Sequence, residues 1–289
     1  MTENTIIHGN CLDVLKILPD NSISLVVTSP PYADARKTTY GGPKPEDYVE
    51  WFEPITKELF RVLKPDGTFI LNIKEKVVNG ERHTYVLELI LALKKQGWLW
   101  TEEWCWHKKN SSPGKWPNRF RDNWERLLQF NKNKAFVMQQ DAVRVPIGDW
   151  AKPRLKNLSE KDSTRTNSTT QSGFSKNIAN WVGKETVYPT NVLHLATECG
   201  NKEHSAAFPQ ALPEFFIKLF SPEDGLVLDP FSGSGTTCVV ASKLGRKFIG
   251  IELNEAYHKA SLVRLGISVP ETTEELQTLS TPITNEHTT

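Results

Sequence analysis

Two short stretches of the chain hold residues whose types and spacing suit chemistry on a flat, polar ligand. The first is Thr28-Ser29-Pro30-Pro31-Tyr32, in which two prolines separate a hydroxyl from an aromatic ring. Proline locks φ at about −65° and has no N–H to donate, so it ends the preceding apolar strand in a rigid loop. A plain turn is one interpretation, and a pocket that holds a planar ring is another.

The second stretch is a glycine-rich turn, LVLDPFSGSGTT. Asp229 ends an apolar strand, Gly233 and Gly235 lie in the turn, and a helix is predicted to begin near Thr236. Glycines let the backbone approach a ligand closely, and a helix N-terminus offers unpaired N–H groups. Glu252 ends the next predicted strand, where an acid can accept hydrogen bonds from ribose hydroxyls.

The turn departs from the known phosphate-binding patterns. Cys238 occupies the last position of the dinucleotide fingerprint G-x-G-x-x-G/A, and the sequence contains no P-loop Gly-Lys-Ser/Thr. The turn therefore indicates a nucleoside ligand without a long phosphate chain. A tight strand-to-helix turn that binds nothing is the alternative.

Alternating strands and helices must position these two stretches. A short strand is predicted at NTIIHGN, buried strands at SISLVVTS and TFILNI, and strands rich in aromatic residues at WLWTEEWCWHK and WERLLQF. The segment GLVLDPFSGSGTTCVVASKLGRKFIGIELN is predicted to form a strand, the glycine-rich turn, a helix and a second strand. Helices are predicted at CLDVLKILPD, at KPEDYVEWFEPITKELFRVLKPDG with its end at Pro65 and Gly67, at TYVLELILALKKQG, at FPQALPEFFIKLFS and after the glycine-rich turn. This order predicts an α/β fold with a doubly wound, mostly parallel, Rossmann-like sheet.

Composition is that of a globular protein, and charge marks one segment as unusual. The 289 residues are 38% hydrophobic and 24% charged, the apolar runs are too short to span a bilayer, and no signal peptide is apparent, so a cytoplasmic location is expected. Residues 107–184 hold 16 Lys and Arg against 6 Asp and Glu, within a net charge of +1. An anionic polymer is the expected partner, and a solvated basic loop is the alternative.

Cysteine spacing gives no sign of a metal site. Cys11, Cys105, Cys199 and Cys238 are scattered, with no C-x-x-C pair and no histidine at a zinc-like spacing. Reduced thiols and no bound metal are expected.

Together, the two motifs resemble those of the S-adenosylmethionine-dependent DNA amino-methyltransferases. TSPPY resembles the catalytic motif of that family and DPFSGSGTT its cofactor motif, and their order resembles the circularly permuted β group. HGNCLDVL, RVLKPDGTFIL and HSAAFPQALPEFFIKLFS extend the resemblance over residues 5–265. It implies a catalytic half at 1–130 and a cofactor-binding half at 196–268. The segment 131–195 between them is polar with no sustained period and is expected to be an inserted target-recognition region, and the acidic, polar tail at 269–289 is expected to be disordered.

The resemblance also implies the reaction. The SPPY form is associated mainly with cytosine N4, so we expect methyl transfer from S-adenosyl-L-methionine to cytosine N4 in double-stranded DNA, by base flipping and direct transfer, within a restriction-modification system. Adenine N6 is the alternative target. Transfer to RNA or protein and a non-catalytic DNA-binding module also stay open.

Roles of individual residues follow from the same resemblance. The expected catalytic residues are Ser29, Pro30, Pro31 and Tyr32. The expected cofactor-binding residues are Asn10, Cys11, Thr28, His204, Phe208, Asp229, Phe231, Gly233, Gly235, Thr236, Thr237 and Glu252. A core role is the alternative for Phe208 and Phe231.

The basic segment supplies the residues expected to contact DNA. These are Lys108, Lys109, Lys115, Arg119, Arg121, Lys152, Arg154, Lys156 and Arg165. The expected partners are double-stranded DNA and a cognate restriction endonuclease, with the protein a monomer or a homodimer.

Overall fold

The computed structural model describes residues 3–35, 41–110, 114, 117–149, 151–157, 159, 182–197 and 208–269. The chain divides into a larger unit, Met1–Gln139 with Asn191–Thr289, and a smaller unit, Gln140–Thr190. The tail predicted to be disordered lies, from residue 270 onward, outside the described residues. No helix in the described ranges is long and apolar enough to cross a membrane.

Strands and helices alternate along much of the chain. In chain order the strands are β1 (Thr5–His8), β2 (Ile23–Thr28), β3 (Leu63–Ile73), β4 (Val77–Val78), β5 (Glu81–Arg82), β6 (Leu99–Lys108), β7 (Trp124–Asn131), β8 (Val145–Pro146), β9 (Thr186–Val187), β10 (Val192–Leu195), β11 (Leu226–Asp229) and β12 (Lys247–Glu252). The helices are α1 (Cys11–Ile17), α2 (Tyr48–Val62), α3 (Tyr85–Lys95), α4 (Ala151–Lys156), α5 (Ala211–Phe220), α6 (Thr236–Lys243) and α7 (Glu255–Leu265).

An eight-stranded sheet organises the larger unit, in the order β1-β12-β11-β2-β3-β7-β6-β10. Every neighbouring pair is parallel except the two that involve β7, which is antiparallel to both β3 and β6. Strands β11 and β2 are neighbours, with Leu228 opposite Val26. The carboxyl ends of two parallel neighbours meet at one edge of a sheet, so the ends of β2 and β11 lie together.

Helices pack around this sheet and bury its apolar side chains. Helices α1, α2 and α3 contact one another in sequence, and so do α5, α6 and α7. Phe52, Leu59, Leu89 and Trp98 belong to the main core and are almost completely inaccessible to solvent. The predicted doubly wound, mostly parallel sheet is confirmed.

The end of α2 differs from the prediction. The helix ends at Val62 rather than at Pro65 and Gly67, and β3 begins at Leu63. A proline disfavours helical geometry in the residue before it, so Lys64 is already extended and the break comes earlier. Asp66 and Gly67 therefore lie within the first part of a strand.

Strand β10 was not predicted. Val192–Leu195 pairs in parallel with β6 at the edge of the sheet, and Asn131 is the last residue of β7. Both ends of the segment predicted as an insertion, 131–195, thus belong to the main sheet, and the separate unit is the shorter Gln140–Thr190.

The smaller unit has little regular structure. Strands β8 and β9 form an antiparallel pair, and α4 lies between them in sequence. The Arg144 guanidinium stacks on Tyr188, 4.6 Å from the ring centroid, and its Nη2 donates a 2.8 Å hydrogen bond to the Thr186 carbonyl. These contacts join the two ends of the unit.

The first strand and the last helix of the sheet unit contact each other. Strand β1 pairs with β12, and a ring nitrogen of His258, in α7, lies 2.9 Å from the Ile6 carbonyl oxygen. His258 is buried, and this burial lowers its pKa, so its neutral form is favoured. The two ends of the described fold therefore meet.

Candidate active site

The proline loop follows directly from the buried strand β2. Its first turn is closed by a 3.0 Å hydrogen bond from the Ala35 N–H to the Tyr32 carbonyl. The Tyr48 hydroxyl, from the first turn of α2, donates to the Pro31 carbonyl at 3.0 Å. A hydrogen bond from the helix thus supports a backbone that the prolines already make stiff.

Gly42 lets the chain pass close behind the same loop. A Cβ atom at this position would lie 1.9 Å from the Tyr32 carbonyl oxygen, which no side chain can tolerate. The Gly42 N–H donates to the Ala35 carbonyl at 2.9 Å. Together these contacts fix the direction of the loop after the aromatic ring.

Tyr32 is anchored by an acid that the sequence analysis did not single out. Its hydroxyl donates a 2.6 Å hydrogen bond to the Glu125 carboxylate of β7. The same carboxylate accepts from the Asn72 amide at 3.1 Å and from the Lys108 ammonium. Glu125 was missed because the sequence around it, WERLLQF, indicates only a strand, although an acid at a buried strand position is an unusual feature.

Asp229, at the end of β11, is a buried hydrogen-bond acceptor. Its carboxylate accepts from the hydroxyls of Thr28, at 2.6 Å, and Thr237, at 2.7 Å, and from the Phe231 N–H at 3.1 Å. Burial outweighs these bonds and raises the pKa of Asp229 to about 6. The carboxylate connects the proline loop, the glycine-rich turn and α6.

Thr28 and Thr237 therefore differ from the expectation that they contact a cofactor. Both hydroxyls donate to Asp229, and neither residue lines the cavity described below. A hydroxyl that satisfies a buried carboxylate looks, in sequence, the same as one that faces a ligand.

The two glycines of the turn serve different purposes. Gly233 has φ +51° with open space where a Cβ would stand, and its N–H donates to Glu252 at 2.7 Å. Gly235 has φ +76°, and a Cβ there would lie 2.9 Å from the Ser261 Cβ. Gly235 is thus required by the packing of α7, and it does not line the cavity as expected.

Glu252, at the end of β12, is held by backbone donors. The N–H groups of Gly233 and Asn254 each donate to it at 2.7 Å, one to each carboxylate oxygen. Burial raises the pKa of Glu252. Each carboxylate oxygen has further acceptor capacity, so the acid can still bind hydroxyl donors on its cavity side.

Asn10 and Cys11 lie at the start of α1. The Asn10 side-chain oxygen caps the helix by accepting from the Leu12 N–H at 2.9 Å. Burial raises the pKa of the Cys11 thiol to about 12, so it stays protonated. Asn10 thus caps a helix, a structural role that the sequence analysis did not predict.

One cavity of about 1150 Å³ brings the two motifs together. Of the residues predicted to be catalytic or to bind cofactor, it is lined by Ser29, Pro30, Pro31, Tyr32, Asn10, Cys11, Phe208, Asp229, Phe231, Gly233, Thr236 and Glu252. His204 lies outside the described residues. Residues that line it without having been predicted include Trp51, Asn72, Lys74, Trp106, Glu125 and Tyr257.

The residues predicted to contact DNA are divided. Arg119, Arg121 and Lys108 line the cavity, whereas Lys109 is exposed just after β6. Lys108 is paired with Glu125 and only 20% exposed, and its predicted phosphate contact stays a prediction.

Other members of that set lie elsewhere. Lys156 is exposed in the smaller unit. Lys152 and Arg154 belong to α4, and only their backbone is described. Lys115 and Arg165 lie outside the described residues.

The site offers acids, hydroxyls and aromatic rings. Within the described part of the chain, no group of three or more His, Cys, Asp or Glu side chains could hold a metal ion. The arrangement suits a nucleoside held at Glu252 and Gly233 beside a planar group held at Ser29 and Tyr32.

Known proteins are similar to this chain in sequence and in fold. The family model described as DNA methylase, N6_N4_Mtase, matches residues 23–263. Type II methyltransferase M.PvuII of Proteus hauseri is 34% identical, over 89% of this chain and 82% of its own length. Type II methyltransferase M.SmaI of Serratia marcescens is 27% identical, over 90% and 89%.

Two solved structures superpose over almost the whole chain. PvuII DNA methyltransferase, described as cytosine-N4-specific, matches with a TM-score of 0.69 and 26% identity, covering 96% of this chain and 92% of its own. The M1.HpyAVI–SAM complex matches with a TM-score of 0.57 and 18% identity, covering 91% and 99%, and supports the fold alone. The family model spans both motifs and every strand of the main sheet except β1, and the chain belongs to the DNA methylase family.

Proposed function

We propose that this protein is a type II DNA methyltransferase that transfers a methyl group from S-adenosyl-L-methionine to the exocyclic N4 of cytosine in double-stranded DNA. The observation that carries the proposal is the single cavity in which the Ser29–Tyr32 loop faces the turn from Asp229 to Glu252. The relatedness to M.PvuII over 89% of the chain supports the reaction and the base.

The residues on one side of the cavity fit the methyl donor. Glu252 presents a carboxylate for the ribose hydroxyls, and Phe231 provides an apolar ring. Gly233 leaves open space where a side chain would stand. When bound, S-adenosyl-L-methionine supplies an electrophilic methyl group on a sulfonium. Asp229 acts indirectly, because its carboxylate holds the turn and the end of β2 together.

The residues on the other side fit the target base. The cytosine amine lies inside the duplex, so the base must leave the helix and enter the cavity. The Ser29 hydroxyl and the Pro30 carbonyl accept hydrogen bonds from the two N–H groups of the amine, which turns the nitrogen lone pair toward the methyl group. Tyr32 stacks on the base, a contact worth about 1–3 kcal/mol. Pro30 and Pro31 hold these acceptors in place before the base arrives.

Transfer is direct, with no covalent link between protein and base. The methylated amine carries an extra proton, which it loses to solvent water, because a serine hydroxyl and a peptide carbonyl accept hydrogen bonds but are too weakly basic to take the proton. The rigid loop lowers the barrier by orienting the amine, since positioning converts a bimolecular encounter into a reaction within one complex.

DNA is the substrate, and the smaller unit is proposed to read its sequence. Arg119 and Arg121 are proposed to contact the phosphates beside the flipped base, which is supported by their place in the lining of the cavity. The 140–190 unit, to which Lys156 belongs, carries the base-specific contacts. A cognate endonuclease that cuts the unmethylated site completes the system, as the type II relatives suggest.

A label-transfer experiment tests this function. The purified protein is incubated with methyl-labelled S-adenosyl-L-methionine and unmethylated DNA, which is then digested to nucleosides. Label in N4-methylcytosine is expected. Label only in N6-methyladenine would overturn the base assignment, and no label in any nucleoside would overturn the reaction class.

A further inference from the structure

A chain of hydrogen bonds connects the catalytic loop to a buried acid on a different strand. The Ser29 hydroxyl lies 3.4 Å from the Tyr32 hydroxyl, a long contact, and the Tyr32 hydroxyl donates to Glu125 at 2.6 Å. Ser29 and Glu125 both line the cavity, and Glu125 is only 6% exposed. The series ends at the carboxylate.

The Glu125 carboxylate fixes the direction in which each hydroxyl of this hydrogen-bond series donates. A hydroxyl can donate or accept, but an ionised carboxylate only accepts. The Tyr32 proton must therefore point at Glu125, and the phenol oxygen then presents its lone pairs to Ser29. Burial, followed by the charge of Glu125, raises the pKa of Tyr32 well above its ordinary value, so the phenol keeps the proton that it donates.

The direction matters at Ser29. If Ser29 donates its proton to Tyr32, its remaining lone pairs face outward as acceptors. An amine that carries two protons needs acceptors, and a serine hydroxyl turned the other way would oppose it proton to proton. Polarisation along such a series also strengthens the bond at its far end.

Glu125 is itself held by side chains from two neighbouring strands. The Asn72 amide donates to Glu125 at 3.1 Å and to the Arg126 carbonyl at 3.2 Å. The Lys108 ammonium pairs with the other carboxylate oxygen. Both partners are donors, so neither can reverse the direction of the series.

We propose that Glu125 is a positioning residue of the methyl transfer, which acts through Tyr32 to keep the Ser29 hydroxyl in its acceptor orientation. The proposal rests on the proposed function, because it requires an amine donor at Ser29. It separates two roles of Tyr32: the ring holds the base, and the hydroxyl transmits the orientation set by Glu125.

The test compares three variants by single-turnover methyl transfer. Glu125→Gln keeps the volume but supplies an amide that can also donate, and Tyr32→Phe keeps the ring but removes the relay. Each is expected to slow transfer roughly 10- to 100-fold, the range for loss of a hydrogen bond to a charged group, with little change in the affinity for cofactor or DNA. In a Ser29→Ala background, Glu125→Gln should add no further loss.

Controls distinguish this role from general damage. Glu103→Gln removes a carboxylate from β6 that pairs with Arg126 and does not line the cavity, and it should transfer at the wild-type rate. If Glu125→Gln does not fold, as judged by thermal unfolding, Tyr32→Phe decides alone, because it leaves the packing intact. The proposal would be overturned if Tyr32→Phe transferred methyl groups at the wild-type rate. It would also be overturned if Glu125→Gln slowed transfer as strongly in the Ser29→Ala background as in the wild type. The proposed function is checked separately, by label transfer with the unmodified protein.

Discussion

The Thr28 hydroxyl donates a 2.6 Å hydrogen bond to the Asp229 carboxylate, across 201 positions of sequence. Thr28 is the last residue of β2 and Asp229 the last of β11, so the bond joins the strand end before the catalytic loop to the strand end before the cofactor turn. The two halves of the reaction centre are thus held in register by a buried, charge-assisted contact.

Asp229→Asn should remove a pH dependence of stability. Because the pKa of Asp229 is raised from 3.8 to about 6, the folded protein binds this proton more tightly than the unfolded chain does. The stabilisation is fully present below the unfolded pKa and is lost as the pH rises through about 6. Between about pH 7 and about pH 5, the wild type should gain about 1 kcal/mol of unfolding free energy relative to the variant. Urea unfolding at several pH values measures this difference, and parallel curves would contradict it.

Glu252→Gln should weaken cofactor binding. The amide nitrogen of glutamine cannot accept a hydrogen bond. One donor therefore loses its partner, and this donor is either a ligand hydroxyl or the N–H of Gly233 or Asn254. We expect the affinity for S-adenosyl-L-methionine to fall roughly 10- to 100-fold, measured by isothermal titration calorimetry. Glu255→Gln is the matched control, since Glu255 is exposed and paired with Lys259. Equal affinities of the two variants would contradict the role of Glu252.

Alanine at the two glycines of the turn should have different effects. Gly235→Ala places a methyl group 2.9 Å from the Ser261 Cβ and 3.0 Å from Ile6, in addition to left-handed strain, and the two effects together should cost about 2–5 kcal/mol of stability. Gly233→Ala meets no atom within 4 Å, so it should cost only the strain of about 1–2 kcal/mol while reducing cofactor affinity. Chemical unfolding and cofactor titration of both variants separate the effects, and a greater loss of stability for Gly233→Ala would argue against this division.

Arg121→Ala should change how salt affects DNA binding. Arg121 is exposed and lines the cavity. Loss of one phosphate contact reduces the slope of log affinity against log salt by about one, uniformly across DNA sequences. Fluorescence anisotropy over a salt series measures the slope. Lys95→Ala, an exposed cation at the end of α3, should leave it unchanged, and equal slopes for both variants would remove Arg121 from the interface.

The pattern of the sequence predicted the sheet well but not its edges. Apolar runs such as Ile23–Thr28 and Leu226–Asp229 are buried along their whole length, and their periodicity is sufficient to identify them. Val192–Leu195 has only four residues, of which two are exposed, and it lies within a polar segment. Such a strand depends on pairing with β6, which no local pattern reveals.

The family resemblance located the cavity, and the DNA methylase family, the fold and the reaction class are confirmed. The sequence did not distinguish residues that line the cavity from residues that hold the lining residues in place. Thr237 and Gly235 belong to the second group, as does Glu125, whose partner Tyr32 lies 93 positions away. Those distinctions depend on which side chains meet across strands, and they require coordinates.

The contact between β1 and α7 has a consequence for the connectivity of the fold. His258 and Ile6 meet, so the first and last elements of the described fold are neighbours in space. The catalytic loop and the cofactor turn likewise meet at the ends of the neighbouring strands β2 and β11, and not through the chain that connects them. The geometry of the reaction centre is thus set by strand pairing, and closeness in sequence does not enter it.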